Sequence, residues 1–388
     1  MDNLSVKPIS NIDTYLCAMQ ISKNILVAPL NWGLGHATRC IPIINAILAN
    51  GDKPIIASDG MALELLKKEF PEQHFLELPG YGISYPENGS SFKLKMLKDS
   101  PKIWNAIRKE HSILKSLIKE HNLHGVISDN RLGLYNRIIP CVIITHQLRV
   151  LSGATTWLST HLHLHFIKKF NQCWIPDVEG THNLSGLLSH NTDADILKVY
   201  LGPLSRFKAN STPQKKYNLM VLLSGPEPQR GILEHKLLRE VKRFKGEVLF
   251  IAGKVENQQV MEKKGNITYY NYLSTQGLQK ALDRSEMVLC RSGYTTIMDL
   301  HKLGKKAFFI PTPGQFEQEY LAQSLQDQGI VPFAFQDEFK IEELDRVNSF
   351  QGLKSIYSST STSIFSILED TFSRVNENSD PIPGSLST

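Results

Sequence analysis

Cysteine is scarce in this chain: five in 388 residues (Cys17, Cys40, Cys141, Cys173 and Cys290), an odd number with no CxxC spacing. That excludes a disulfide framework and a cysteine-paired zinc site, and predicts reduced, buried thiols in a cytoplasmic protein. Long apolar runs are missing too; none approaches the ~20 residues of a membrane span. No sign of charge dominates, since 43 Lys and Arg stand against 38 Asp and Glu for a net +5, so nothing points to nucleic acid. The first residues, MDNLSVKPISNIDTYLCAMQISKN, lack the charged start and apolar middle of a signal peptide. Residues 1–22 therefore read as a leader outside the first domain.

What is present is an alternation. Short apolar runs ending in Gly, Pro, Asp or Ser alternate with stretches of helical period. The first half holds NILVAP, PIIAS, HFLELPG, GVISD, CVIIT, CWIPD and LKVYLGP; the second holds NLMVLLSG, EVLFIAG, ITYYNYL, MVLCRSG and AFFIP. Near-continuous Val, Ile, Leu and Phe is the pattern of strands buried on both faces of a parallel sheet. The expected fold is α/β, with two doubly wound Rossmann-like domains facing across a cleft that binds ligand at the strand C-termini. The polar, aperiodic FKANSTPQKKYN separates them. The predicted units are an N-terminal Rossmann-like domain at 23–205, a linker at 206–217 and a second domain at 218–348. A tail follows at 349–388, with one apolar helix-like segment around Ile364–Leu368 before a disordered end.

Five constellations carry chemistry. GLGHATR, after the first strand, makes a glycine-rich turn at Gly33 and Gly35 and opens a helix with His36 and Arg39. At a helix start the dipole disfavours imidazolium, so His36 suits a neutral base, and Arg39 lies one turn on. The bland reading is a helix cap. Asp129 ends GVISD, and His146-Gln147 end CVIITHQ; either suits a base or its orienter, or a turn. LLSGPEPQRG brings Ser224, Gly225 and Arg230 to a βα loop shaped for a diphosphate. CRSGYTTIMD then gives a second such turn, Arg291-Ser292-Gly293, with Asp299 placed to accept ribose hydroxyls two turns into the helix. FFIPTPGQFEQEYL ends in Glu317, Gln318 and Glu319, groups suited to sugar hydroxyls or to a helix dipole.

In order and spacing, the last three segments resemble the C-terminal, donor-binding domain of glycosyltransferase family 28. The resemblance implies a GT-B fold, a UDP-linked sugar donor, inversion at the anomeric carbon and no obligatory metal or other cofactor. It places Ser292 and Gly293 on the diphosphate, Asp299 on the ribose, and Gln318 and Glu319 on the sugar. Family members often carry Glu at the first of these acidic positions and two glutamines at the last pair. GLGHATR is similar to the first loop of that superfamily's acceptor domain, and also to that of a UDP-sugar hydrolase of pseudaminic acid synthesis.

Two further patterns have functional and routine readings. HLHLH at 161–165 would gather three histidines for zinc only as a strand. The segment 92–121 interleaves Lys93, Lys95, Lys98, Lys102, Arg108, Lys109, Lys115 and Lys119 with apolar residues, as in a helix resting on an anionic membrane or in a solvated helix face. The expectation is a cytoplasmic or membrane-peripheral transferase moving a hexose or N-acetylhexosamine from a UDP-sugar to a lipid or glycan hydroxyl, with His36 or Asp129 as base. A nucleotide-sugar hydrolase and a non-catalytic nucleotide-sugar-binding protein are the alternatives.

Overall fold

The computed structural model describes residues 22–82, 92–181, 183–190, 194–209, 214–254, 256, 258–353 and 363–372. The leader call, the core of the linker and the end of the tail lie outside the described residues. So do the side chains of Lys93, Lys95 and Lys98.

The first half runs β1 (Asn24–Pro29), α1 (Leu34–Ala49), β2 (Lys53–Ser58), α2 (Gly60–Glu69), β3 (His74–Glu77), α3 (Phe92–Glu120), β4 (Leu123–Asp129), β5 (Cys141–Ile144), α4 (Thr156–Ile167), β6 (Gln172–Ile175) and β7 (Lys198–Tyr200). Its seven strands lie in the order β3-β2-β1-β4-β5-β6-β7, all parallel. β1 and β4 are buried at every position but one, as strands covered on both faces must be, and the apolar runs Ile25–Ala28 and Val126–Ile127 fill that place. The parallel register puts every strand C-terminus on one edge, where Leu30–Gly35, Asp129 and His146 emerge.

The second half runs β8 (Tyr217–Leu222), α5 (Gln229–Glu240), β9 (Val248–Ile251), β10 (Met261–Lys264), β11 (Ile267–Tyr270), α6 (Thr275–Asp283), β12 (Ser285–Cys290), α7 (Tyr294–Lys302), β13 (Lys306–Phe309) and α8 (Phe316–Asp327), then a 3-10 run over Ile341–Ser349. The order is β10-β11-β9-β8-β12-β13. β10 departs from the expected pattern: Met-Glu-Lys-Lys, exposed throughout, pairs antiparallel at the edge. Charged, solvated residues suit an edge strand because they discourage further pairing.

The tail segment forms α9 (Ile364–Phe372), and it packs on the first half. Phe372 lies against Gly125 and 6.3 Å from the Trp174 ring, and Thr371 Oγ1 donates to Gln172 Oε1 at 3.2 Å. HLHLH is helical: it lies in α4, where His161 Nδ1 meets the carbonyl of Trp157 at 2.9 Å. Among the described residues no His, Cys, Asp and Glu cluster has metal-holding geometry, and no helix is long and apolar enough to cross a membrane.

Candidate active site

The C-terminal edges of the two sheets meet. Thr295 Oγ1, at the start of α7, donates to the Gly35 carbonyl at 3.2 Å, and a Cβ on Gly35 would stand 2.9 Å from that oxygen. This contact explains the glycine: a side chain here would have to displace the Thr295 hydroxyl and break the bond across the halves. Gly33, at φ +79°, makes the turn that starts α1. Tyr294 extends the contact, donating to the Pro176 carbonyl at 3.0 Å and stacking on His146 with ring centroids 4.2 Å apart.

Beneath this seam, β4, β5 and α1 bring five residues together. Asp129, wholly buried, receives Arg39 Nε on Oδ2 at 2.5 Å and Arg39 Nη2 on Oδ1. His36 Nδ1 stands 2.7 Å from Asp129 Oδ1, and Cys40 Sγ donates to Oδ2 at 3.7 Å. Arg39 Nη1 also reaches His146 Nδ1 at 3.2 Å. Burial alone would raise the Asp129 carboxyl, but the Arg39 and His36 charges and hydrogen bonds outweigh it and hold it at about 2. Burial pulls His36 below the usual imidazole value; Asp129 pulls it up and Arg39 pushes it down, and the net shift is downward.

The tautomer follows. Two groups meet Nδ1: the Asp129 carboxylate at 2.7 Å, which can only accept, and Arg39 Nη2 at 2.9 Å, which can only donate but already donates to Asp129 Oδ1; the shorter contact favours the proton on Nδ1, facing Asp129. Nε2 then carries a lone pair, and among the described residues it has no hydrogen-bond partner. The two roles left open by the sequence separate: Asp129 is sealed and permanently charged, whereas His36 is 14% exposed. Asp129 can orient a base; His36 can be one.

Sequence reasoning assigned several second-half residues differently. Arg230 is turned inward, donating to Glu227 Oε1 at 2.7 Å, Glu234 Oε2 at 2.8 Å and the Ala252 carbonyl at 3.0 Å. Arg291, also buried, donates to the carbonyls of Ile310, Pro311 and Gln229 and to Gln336 Oε1, pinning the loop after β13. Neither is free to meet a diphosphate. Burial lowers Arg291 to about 9, with no carboxylate to counter it. Ser292 Oγ donates to the Gln318 carbonyl at 2.8 Å. Gln318 accepts from Thr312 N and Glu319 from Gly314 N, each at 2.9 Å, so both side chains brace the Pro/Gly loop.

What remains open is backbone. Gly293 begins α7 without a side-chain cap, and a Cβ there would meet nothing within 4 Å. Uncapped first-turn N–H groups at a helix start suit an anion. Ser224 and Gly225 are exposed beside this turn, because β8 neighbours β12. Asp299 faces the link between the halves: Ser205 Oγ donates to its Oδ1 at 2.6 Å. Burial raises its carboxyl to about 6, with Arg206 and Ser205 holding it back.

Glu317 is the residue whose placement was least expected. From the start of α8 it crosses the cleft, Oε1 2.7 Å from His146 Nε2 and Oε2 receiving Gln147 Nε2. A second group also lay outside the sequence reading. Arg131, wholly buried, pairs with Asp59 and with Glu110 at 2.8 Å and donates to the carbonyls of Pro29 and Pro79 at 3.0 Å. Asn31 Nδ2 donates to Asp59 Oδ2 at 3.2 Å, which ties the glycine-rich loop to this base. The one sequence cue was an arginine two residues after a strand-terminal Asp.

Comparison with known proteins follows the same division. Residues 228–351 match the family model of the glycosyltransferase family 28 C-terminal domain. The UDP-N-acetylglucosamine–N-acetylmuramyl-(pentapeptide) pyrophosphoryl-undecaprenol N-acetylglucosamine transferase of Haemophilus ducreyi is 28% identical over 220 residues, 55% of this chain, and there the chain spans only 58% of the relative's length. The protein of the same description from Glaesserella parasuis serovar 5 is 22% identical over 337 residues, covering 84% of this chain and 88% of the relative. Among solved structures, the spinosyn forosaminyltransferase superposes with a TM-score of 0.59 at 12% identity, over 92% of this chain and all of that one. The glycotransferase of kitacinnamycin superposes at 0.58 and 12% identity, over 91% of this chain and all of that one. These similarities establish the two-domain GT-B architecture.

Proposed function

We propose that the chain, whose residues 228–351 match the glycosyltransferase family 28 C-terminal domain and whose fold is GT-B, is a family 28-like glycosyltransferase that moves a hexose or N-acetylhexosamine from a UDP-sugar to an acceptor hydroxyl with inversion. The observation that carries the reading is the oriented, unpartnered Nε2 of His36, set beside the uncapped start of α7 by the Gly35–Thr295 contact.

In this proposal the acceptor hydroxyl gives its proton to His36 Nε2 as its oxygen bonds to the anomeric carbon. The bond from that carbon to the diphosphate breaks, and the electron pair leaves with UDP. Asp129 holds the imidazole in its tautomer and steadies the imidazolium that forms. The N–H groups at Gly293 and the turn at Ser224-Gly225 receive the diphosphate, a metal-independent arrangement. Asp299 accepts from the ribose. Glu317, in place of the predicted Gln318 and Glu319, is the carboxylate at the cleft best set to meet the sugar.

The acceptor side we read as a lipid or cell-envelope glycan at the inner face of a membrane. Supporting this, α3 exposes Arg108, Lys109, Lys115 and Lys119, and Trp104 and Trp157 are both exposed on the same half. Anionic lipid is the partner such a face suits. Incubation with a panel of UDP-sugars, with and without membrane lipid extract, tests the reading. Lipid-dependent UDP release supports it; free sugar without lipid would mean hydrolysis, and binding without turnover would mean a sensor.

A further inference from the structure

On the first half, two of the buried polar atoms that lack a hydrogen-bond partner among the described residues lie toward the cleft edge. Asn130 follows Asp129 directly, and its Oδ1 is buried and unbonded; His163, on α4, has a buried and unbonded Nε2. Asn130 lies just past the end of β4, and α4 packs over the loop that follows: Phe166, one turn beyond His163, shares an apolar cluster with Leu30, and Leu132 packs against that cluster.

Asn130 is also conformationally costly. It stands at φ +58°, one of two non-glycine residues at positive φ among those described. Asparagine tolerates that region chiefly because its side chain can bond the local backbone, and here the oxygen does not. Strain and an unmet acceptor in one residue beside the dyad point to a ligand.

We propose that Asn130 and His163 form a subsite for the acceptor that binds a neutral, hydroxyl-bearing group such as a sugar ring or polyol, and not its phosphate. The proposal rests on the glycosyltransferase reading and specifies its acceptor side. The chemistry of the pair selects the class. A hydroxyl both donates and accepts, so it can satisfy a carbonyl oxygen and an imidazole nitrogen. A phosphate oxygen only accepts, and would face the Asn130 oxygen with no cation to offset it. The neighbouring guanidiniums are already engaged: Arg39 with Asp129, and Arg131 with Asp59 and Glu110. Burial, with His146 adding to it, lowers His163 to about 4, so the imidazole brings no positive charge at neutral pH.

The test uses the full chain with UDP present and two probes sharing one tail, octyl β-D-glucoside and octyl phosphate, followed by ligand-observed NMR below micellar concentration. Asn130→Gly keeps the backbone conformation available and removes the oxygen; His163→Phe keeps the ring and removes the nitrogen. Each variant is expected to weaken glucoside binding by about 5–10-fold, one hydrogen bond's worth, while UDP affinity, melting temperature and octyl phosphate binding stay at wild-type values. Glucoside affinity that ignores both substitutions overturns the subsite, as does wild-type protein that binds UDP but no glucoside. Octyl phosphate weakened more than glucoside overturns the neutral-group assignment. Failure of the wild-type chain to bind UDP overturns the glycosyltransferase reading beneath it.

Discussion

Replacing Asp129 with asparagine changes one oxygen for a nitrogen in the most connected carboxylate of the cleft. In the native protein both oxygens accept, one from Arg39 Nε at 2.5 Å and the other beside His36 Nδ1 at 2.7 Å. The amide keeps one acceptor and gains a donor. Arg39 donates to both native oxygens, so the amide can keep only one of those bonds; with its oxygen on Arg39 Nε, the new N–H₂ faces both Arg39 Nη2 and His36 Nδ1. That inverts the tautomer: Nδ1 becomes the acceptor, the proton moves to Nε2, and the base is lost. The expected fall in kcat is about 10²–10⁴-fold, or roughly 3–5 kcal/mol of transition-state stabilisation. Stability should fall as well, by about 3–5 kcal/mol, because a buried guanidinium loses its counter-ion. The two effects separate if kcat, from UDP release at saturating donor, is measured on protein shown to be folded, alongside UDP affinity by calorimetry and thermal melting. UDP affinity should hold, since the other half carries the donor. The sharper check is the double variant with His36→Gln. Residues acting as one unit lose no more together than singly. A folded Asp129→Asn protein with native turnover, or losses that multiply in the double variant, would refute the dyad.

The remaining predictions are brief. Because the His36 pKa lies below the ordinary imidazole value of 6.5, the wild-type rate should hold down to that pH and fall only below it, and a pH–rate profile of kcat checks this. Asp299 has a folded carboxyl raised to about 6 from 3.8, so its contribution to stability is full below the lower value and lost as pH rises through the higher one. Asp299→Asn should therefore melt higher than wild type at pH 7 yet bind UDP more weakly, and it should lose the rise in UDP affinity expected of the native protein between pH 5 and 7, all measurable by calorimetry. Arg230→Ala should lower the melting temperature and leave UDP affinity within about twofold, because its guanidinium is engaged by Glu227 and Glu234. Activity should survive excess EDTA; a loss restored by Mg²⁺ or Mn²⁺ would overturn the metal-free proposal.

The parts of this molecule that were legible in the sequence are those governed by local rules. NILVAP and GVISD could be read as strands buried on both faces of a parallel sheet because their apolar runs are near-continuous, and the C-terminal edge then located His36, Asp129 and His146 near one another across a hundred residues of chain. Direction is what one-dimensional pattern could not supply. Arg230 and Arg291 sit in turns shaped for phosphate, yet whether a buried guanidinium looks outward or toward its own carbonyls depends on which backbone groups tertiary packing leaves unsatisfied. At the start of α8 a single step of about 100° around the helix decides which of three consecutive polar residues crosses the cleft; Glu317 does, while Gln318 and Glu319 turn back to their loop. The edge strand at Met261–Lys264 was invisible for the opposite reason: having no buried face, it carries no apolar signal.

The return of α9 to the first half alters how the chain can be divided. Phe372 fills the space above Gly125 and meets Trp174, so the final helix belongs physically to the domain built from the beginning of the chain. A chimera that exchanges the second half for a relative's by cutting once, near residue 209, would carry off part of the first half's wall and bare aromatic surface on the half left behind. The interchangeable unit is an insertion, roughly Tyr217 to Leu353, bounded by two crossings.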